Sequence, residues 1–154
     1  MFCMKTWTFK HRYALVDLPT FLSTFREARK NNEKYFYIQN YRLKTESHRY
    51  NLFADKGTTC AHCGIKANIF IIEGKTADEC PHANLYYLTH DEEGNEIATL
   101  FTKDHILPRS LGGPDAQENY QTMCEPCNNT KGNTITPNES NRLKGGNHLQ
   151  NLVQ

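Results

Sequence analysis

The stretch that decides the fold is residues 102–133, with the sequence TKDHILPRSLGGPDAQENYQTMCEPCNNTKGN. It contains an Asp-His pair at Asp104 and His105, a Gly-Gly pair, and a Cys-x-x-Cys pair at Cys124 and Cys127. Carboxylates, imidazoles and thiols are the side chains that bind metal ions, and imidazole also transfers protons near neutral pH. The stretch therefore predicts a metal-dependent site.

A second Cys-x-x-Cys pair lies well upstream of the first. Together the two pairs supply four thiolates, which complete a tetrahedral zinc site and leave no position for water. We therefore predict a structural zinc, with disulfides or a redox pair as the alternatives. Such a zinc contributes on the order of 10 kcal/mol to folding. The predicted ligands are Cys60, Cys63, Cys124 and Cys127. For the weaker pair of Cys80 and His82 we expect a packed or surface role.

Several elements of the stretch occur in one fixed order: Asp-His-Ile-x-Pro, Gly-Gly, Asn, then Cys-x-x-Cys-Asn-x-x-Lys-Gly. In this order they resemble the HNH endonuclease family over residues 102–133, and the similarity extends to Cys60–Cys63 if the upstream cysteine pair is included. The resemblance implies an α+β fold with a ββα-metal core, stapled here by the four cysteines. It also implies hydrolysis of DNA, and it makes Asn119 the middle Asn that braces the loop and orients the base. A turn-capping Asn is the alternative for Asn119.

The residue types agree with that chemistry. His105 is the side chain best suited to act as a general base near neutral pH, a role that contributes about 10²–10⁴-fold in rate. Asp104 offers a hard anionic oxygen and Asn128 a neutral carbonyl oxygen, which suit Mg²⁺ or Mn²⁺ as the catalytic ion. Lys131 and Arg109 are candidates for phosphate contact. The alternative for His105 is a satisfied structural histidine.

Spacing predicts how these residues are arranged. Asn128 and Lys131 are three apart, so on a helix they share a face, and Gly132 is expected to end that helix. Asp104 and His105 are adjacent, and a regular strand aims adjacent side chains at opposite faces. We therefore expect the strand to end or distort at this pair.

The remaining patterns predict the domain organisation. Residues 1–56 are expected to form a basic, mainly helical extension, with one helix over about 18–31 that begins after Asp17 and another within 33–55. The zinc-stapled nuclease core is expected over 57–136.

The core carries an insertion at about 66–98, longer than a compact version of this fold needs. It should add a strand near Asn68–Ile72 and a β-hairpin from Leu85 to Phe101. Residues 137–154 are expected to be a polar C-terminal tail.

Charge is uneven along the chain. Residues 1–50 hold ten Lys and Arg against four Asp and Glu, which suits contact with a polyanion or an ordinary solvated helical face. No run approaches the roughly 18 apolar residues of a membrane span, and the start lacks an apolar signal stretch. We expect a cytoplasmic protein that contacts DNA and no membrane. Its similarity to stand-alone phage homing nucleases implies a bacterial host.

Two rival functions remain. A non-catalytic zinc-bound nucleic-acid-binding module would keep the cysteines and the basic front, but it would not need Asp104, His105 and Asn128 together. A toxin nuclease that acts on RNA or on a host genome would share the chemistry and differ in its target. Oligomeric state, recognition sequence and nicking versus double-strand cleavage stay open.

Overall fold

The computed structural model describes residues 11–75, 81–137 and 139–141. Its helices and strands, in chain order, are β1 (His11–Val16), α1 (Leu18–Lys30), β2 (Tyr35–Ile38), β3 (Tyr41–Lys44), α2 (His48–Lys56), β4 (Ile69–Gly74), β5 (His82–His90), β6 (Glu96–His105), β7 (Tyr120–Cys124) and α3 (Glu125–Lys131). Two short 3-10 turns, Arg109–Leu111 and Gln117–Asn119, lie between β6 and β7. This mixture of helices and strands confirms the α+β class.

The described residues divide into two compact units. The first lies within Met1–Thr45 and Ile69–Asn84, and the second within Glu46–Asn68 and Leu85–Gln154. Strand β5 begins in the first unit and continues into the second. Among the described residues, the first unit contains helix α1, and the second contains α2 and α3.

In the first unit, helix α1 forms where the sequence predicts it. The Asp17 side chain accepts a hydrogen bond from the Thr20 N–H at 2.9 Å, as an N-cap does. Phe21 and Phe25, four residues apart, are fully buried, and the Phe21 ring stacks on Phe70 of β4 with 3.9 Å between centroids. Strand β4 pairs antiparallel with β1. The helix therefore buries one aromatic stripe in this unit.

The predicted second helix within 33–55 is α2, but the two strands in the first half of that range were not predicted. Strands β2 and β3 pair antiparallel there, and α2 begins only at His48. Phe36, Ile38 and Leu43 are buried while the residues between them are more exposed. This period of two, in aromatic and β-branched residues, favours a strand. The described part of the N-terminal extension, residues 11–56, thus contains the strands β1, β2 and β3 beside its two helices.

In the second unit, the predicted hairpin between Leu85 and Phe101 is confirmed. Strands β5 and β6 pair antiparallel with Tyr86 opposite Leu100. The Asp91 carboxylate accepts the backbone N–H of Asn95 at 2.8 Å and closes the turn. The residues expected as an insertion thus extend the strand that carries the Asp-His pair.

Strands β6 and β7 with helix α3 form the ββα unit that the sequence predicts. The two strands pair antiparallel, and α3 follows β7 without a linker. Gly132, with φ of +56°, caps the helix where a stop was expected. Both α2 and α3 contact these strands. Among the described residues, no helix is long and apolar enough to cross a membrane.

Candidate active site

Four cysteines from two distant parts of the sequence come together in the second unit. Cys60 and Cys63 follow α2, Cys124 ends β7, and Cys127 lies in α3. Their sulfur atoms all lie within 4.8 Å of one another. The 3.8 Å between the sulfurs of Cys63 and Cys124 is close to the separation that a tetrahedral zinc with bonds of about 2.3 Å requires. The cluster therefore suits a structural zinc ion.

Ionisation within the cluster is unequal. Burial opposes ionisation of Cys60, but backbone N–H groups of Cys63, Cys124 and His62 outweigh it and lower the Cys60 pKa to about 7. Burial, together with the neighbouring thiols, raises the pKa of Cys127. A cation is needed for all four sulfurs to be thiolates at once, because each added negative charge opposes the next.

Asp104 and His105 are the last two residues of β6, and their side chains lie on opposite faces of the strand. In the register with β7, Asp104 lies opposite Gln121, and His105 lies opposite Tyr120. The strand stays regular and ends at His105. We expected the strand either to end or to distort at this pair, and it ends there. We call the face with Thr102, Asp104 and Gln121 the closed face, and the face with Lys103, His105 and Tyr120 the open face.

The closed face is a buried ionic network. Asp104 Oδ2 accepts hydrogen bonds from Lys131 Nζ at 2.6 Å and from Gln121 Nε2 at 2.8 Å. Lys131 Nζ also lies 2.8 Å from Glu139 Oε1 and donates to the backbone oxygen of His105 at 2.6 Å. Gln121 Nε2 donates to Glu139 as well. With its side chain 2% exposed, Lys131 does not fit the phosphate contact expected of it, because its ammonium is already enclosed by protein oxygens.

Glu139 is a site residue that the sequence reasoning missed. It lies in the segment expected as a polar tail, yet it is fully buried. The Thr136 N–H donates to Glu139 Oε2 at 2.7 Å, and the Glu139 N–H donates to Thr136 Oγ1 at 3.3 Å. This is a capping box with Pro137 as the first helical residue, a signal that was available in the sequence. Burial raises the Glu139 pKa, but Lys131 and the Thr136 N–H outweigh it and lower the pKa below its ordinary value.

The closed face fits a divalent cation. Two buried carboxylates, Asp104 and Glu139, share one buried ammonium, that of Lys131. Gln121 Oε1 is buried and has no hydrogen-bond partner within the described part of the chain. Both bonds to Asp104 end on Oδ2, so they leave Oδ1 to other partners. A buried excess of negative charge beside unused acceptor oxygens suits a hydrated Mg²⁺ or Mn²⁺ ion.

Asn128 joins this face from α3. Its Nδ2 donates to Thr102 Oγ1 at 2.8 Å, which orients the amide. Thr102 and Asp104 are two apart in β6 and so lie on one side of the strand. Lys131, three residues after Asn128, reaches Asp104. The expected shared helix face of Asn128 and Lys131 is therefore present, and it lies against β6.

The open face holds His105 through a carboxylate that the sequence reasoning also missed. His105 Nε2 lies 2.6 Å from Asp115 Oδ1, and this bond is the main cause that lowers the Asp115 pKa. The His105 ring meets the Tyr120 ring edge-on, with 5.1 Å between centroids. Arg109 Nε lies 3.6 Å from Asp115 Oδ2 with its side chain 71% exposed. The His105 imidazole is thus bonded to Asp115 through Nε2, and the exposed Arg109 guanidinium contacts the same carboxylate.

This combination at the end of β6 can be compared with known proteins. Residues 94–144 match the family model of the HNH endonucleases. The match confirms the predicted resemblance for this segment and suggests nuclease activity on a nucleic acid. The matched residues include β6, β7, α3 and Glu139. The elements from β1 to β3, which end at Lys44, lie outside the match. No curated protein and no solved structure matches the chain.

Within residues 94–144, the matched region that we call the HNH segment, the open face carries basic side chains. Lys103 Nζ lies 4.1 Å from the centroid of the Tyr120 ring, the ring that His105 also contacts. Burial lowers the Lys103 pKa against the opposing effect of Asp115, and Arg49 acts in the same direction as burial. Lys103 was not among the predicted site residues, although its place two before His105 puts both on one side of a strand.

The loop between β6 and β7 is held by Asn119. Its Oδ1 accepts the Leu107 N–H at 2.9 Å, and its Nδ2 donates to the backbone oxygens of Leu107 and Pro114, both at 3.0 Å. A Cβ on Gly113 would lie 1.8 Å from the Leu107 oxygen, so this close approach requires glycine. The braced loop places Asp115 against His105.

Some expectations fall outside the described residues. Cys80, one half of the weaker Cys-His pair, lies there, as do residues 142–154 of the expected tail.

Proposed function

We propose that this protein is a metal-dependent endonuclease that hydrolyses phosphodiester bonds in DNA. The observation that supports this most is the end of β6 in the HNH segment. There Asp104 lies in a buried network that holds more negative than positive charge. The next residue is His105, whose Nε2 is bonded to the Asp115 carboxylate. The first group suits a metal ion, and the second suits proton transfer.

His105 is proposed as the general base. Asp115 engages Nε2, so Nδ1 is the nitrogen that takes a proton from water. The water oxygen forms a bond to phosphorus, and the bond from phosphorus to the leaving oxygen breaks. The leaving oxygen then takes a proton from solvent. Proton transfer of this kind contributes about 10²–10⁴-fold in rate.

Asp104 Oδ1 and the Asn128 side-chain oxygen are proposed to hold the catalytic Mg²⁺ or Mn²⁺. When bound, the ion supplies a counter-charge to the phosphate oxygens. Lys131, Gln121 and Glu139 act through Asp104, because they fix its other oxygen in a dry network. Lys131 is therefore proposed as a positioning residue, in place of the phosphate contact predicted from the sequence.

Phosphate contact falls to the open face. Arg109 is exposed beside the base, and Lys103 lies across the same tyrosine ring. The zinc bound by the four cysteines ties the turn after α2 to β7 and α3, and Asn119 holds the loop that carries Asp115. We assign catalysis to the second unit.

The test is incubation of the purified full chain with supercoiled plasmid under Mg²⁺, under Mn²⁺ and without added divalent ions. We expect relaxed or linear plasmid only with added metal, and one zinc per chain by elemental analysis. Asp104→Asn should abolish cleavage, whereas Asp91→Asn, in the exposed hairpin turn, is the matched control. Bound but uncut plasmid under every condition would instead support the nucleic-acid-binding module. Cleavage of RNA in preference to plasmid would support a ribonuclease.

A further inference from the structure

The β2–β3 hairpin has two chemically different sides. Phe36, Ile38 and Leu43 point inward and are buried. The outward residues are aromatic or basic, and we call them the outer hairpin face: Lys34, Tyr35, Tyr37, Arg42 and Lys44. Cross-strand pairing sets Tyr35 opposite Lys44 and Tyr37 opposite Arg42. The hairpin therefore presents basic side chains interleaved with tyrosines.

The cations on this face are ordered by aromatic contact. The Arg42 guanidinium lies 4.6 Å from the centroid of the Tyr35 ring, and Lys34 Nζ lies 5.6 Å from the same centroid. Cation–π contacts of this kind contribute roughly 0.5–1 kcal/mol at exposed sites. Both cations are therefore held near one ring before any ligand binds.

An ordinary solvated strand face carries charges of both signs, which favours solubility. Residues 34–44 differ, because they include three basic residues and no acidic one, and the acidic Glu33 and Glu46 come only beyond the two ends of this range. Tyr37 stays 60% exposed on the same face, so its ring and hydroxyl are available to contact the sugar-phosphate backbone of a nucleic acid. The excess of basic residues within the hairpin favours a polyanion as the partner.

We propose that the outer hairpin face binds the backbone of duplex DNA, as a second contact separate from the site at the end of β6. Arg42, Lys44 and Lys34 bind phosphates, and Tyr37 packs against an exposed sugar or base edge. A two-stranded ribbon is an element that the major groove admits. This inference rests on the proposed function for the nature of the substrate, and it adds a contact that lies outside the HNH segment.

The test is a salt series of binding to a fluorescent duplex, with the full chain and no added divalent ion. Arg42→Gln with Lys44→Gln keeps uncharged polar side chains at both positions and removes two charges. Each phosphate contact contributes about 0.9 to the slope of log affinity against log salt, so the slope should fall by about 2. Arg26→Gln with Lys30→Gln removes the same charge from exposed positions of α1 and is the control. It should leave the slope nearly unchanged.

Two further variants keep the inference falsifiable. Tyr37→Ser should weaken binding several-fold without changing the slope, because it removes a ring and no charge. Arg42→Lys should retain most of the slope. Equal slopes for the hairpin pair and the α1 pair would overturn the inference, and so would an unchanged affinity for the hairpin pair.

The two proposals fail in distinguishable ways. If the parent protein cuts plasmid while the hairpin pair binds duplex like the parent, only the hairpin inference fails. If the parent neither binds duplex nor cuts plasmid, the proposed function itself fails. A hairpin variant that binds more weakly but cuts saturating DNA at the parental rate would support both.

Discussion

Asp104 and His105 are neighbours in the chain, yet their surroundings are opposite in kind. Asp104 is 6% exposed and is held by Lys131 and Gln121. His105 is held by one side chain from a loop, Asp115, which is itself half exposed. One strand therefore supplies a dry, charged face and an open, basic face, one residue apart.

The difference follows from the period of two in a β-strand. A metal ligand benefits from burial, because electrostatic attraction strengthens as the local dielectric falls. A general base needs access to water and to the substrate. The alternation of β6 provides both environments at once, with α3 against the closed face and His48 of α2 against Tyr120 on the open face.

On the open face, the largest effect should come from His105→Ala. We expect cleavage to fall about 10²-fold or more, because proton removal from water is lost. Zinc content, thermal unfolding and duplex affinity should stay near parental values. Single-turnover cleavage of plasmid measures the loss, and His90→Ala, an exposed histidine at the end of β5, is the matched control. A parental rate in His105→Ala would mean that the Asp-His pair is structural.

Asn128→Ala should fail in a different way, because it alters the closed face without removing its buried charges. We expect the Mg²⁺ concentration for half-maximal rate to rise about tenfold, which corresponds to about 1.4 kcal/mol. Excess Mg²⁺ should restore part of the rate in this variant and none in His105→Ala. Asn129→Ala, the exposed next residue, is the control. If excess Mg²⁺ restored Asn128→Ala and His105→Ala equally, the two faces would not have separate roles.

The sequence predicted the elements whose signals are local. Helix α1 follows from Asp17 and the spacing of its phenylalanines, and the β5–β6 hairpin follows from two apolar runs around a Gly-Asn turn. The cysteine cluster follows from two knuckles of fixed spacing. In each case the deciding residues lie within a few positions of one another, or their chemistry demands a shared partner.

The misses have identifiable causes. The β2–β3 hairpin was not predicted, because its period of two covers only four residues in each strand. Glu139 carried a capping-box signal inside a polar segment, and Lys131 could not be placed without it, because its burial depends on that carboxylate. Asp115 carries no pattern at all. Only the loop braced by Asn119 brings it to His105.

Asp115→Asn tests whether the open face depends on charge as well as on shape. We expect cleavage to fall on the order of tenfold, a size common for groups that orient a functional histidine, with duplex affinity unchanged. The bond to His105 holds the Asp115 pKa below its ordinary value of 3.8, so the carboxylate stays ionised near neutral pH and the deficit should persist there. Glu118→Gln, an exposed acid in the same loop, is the control. If Asp115→Asn cleaved at the parental rate, the Asp115 carboxylate would have no role in the function of His105 as the base.

The smallest effect on cleavage, a few-fold, should come from Glu139→Gln, which acts on Asp104 only through Lys131 and Gln121. Its main effect should be on stability and should depend on pH. The Glu139 pKa is lowered from 4.5 in the folded protein, so its contribution is present above about pH 4.5 and is lost as the pH falls through the lower folded value. Near pH 7 the variant should lose about 1–3 kcal/mol of unfolding free energy, the range for a bond to a charged group. Denaturant unfolding of parent and variant between neutral and acidic pH measures this gap, which should narrow below pH 4.5. If the difference in unfolding free energy stayed constant with pH, the closed face would bind Glu139 in its neutral form. The closed face would then have no excess of negative charge.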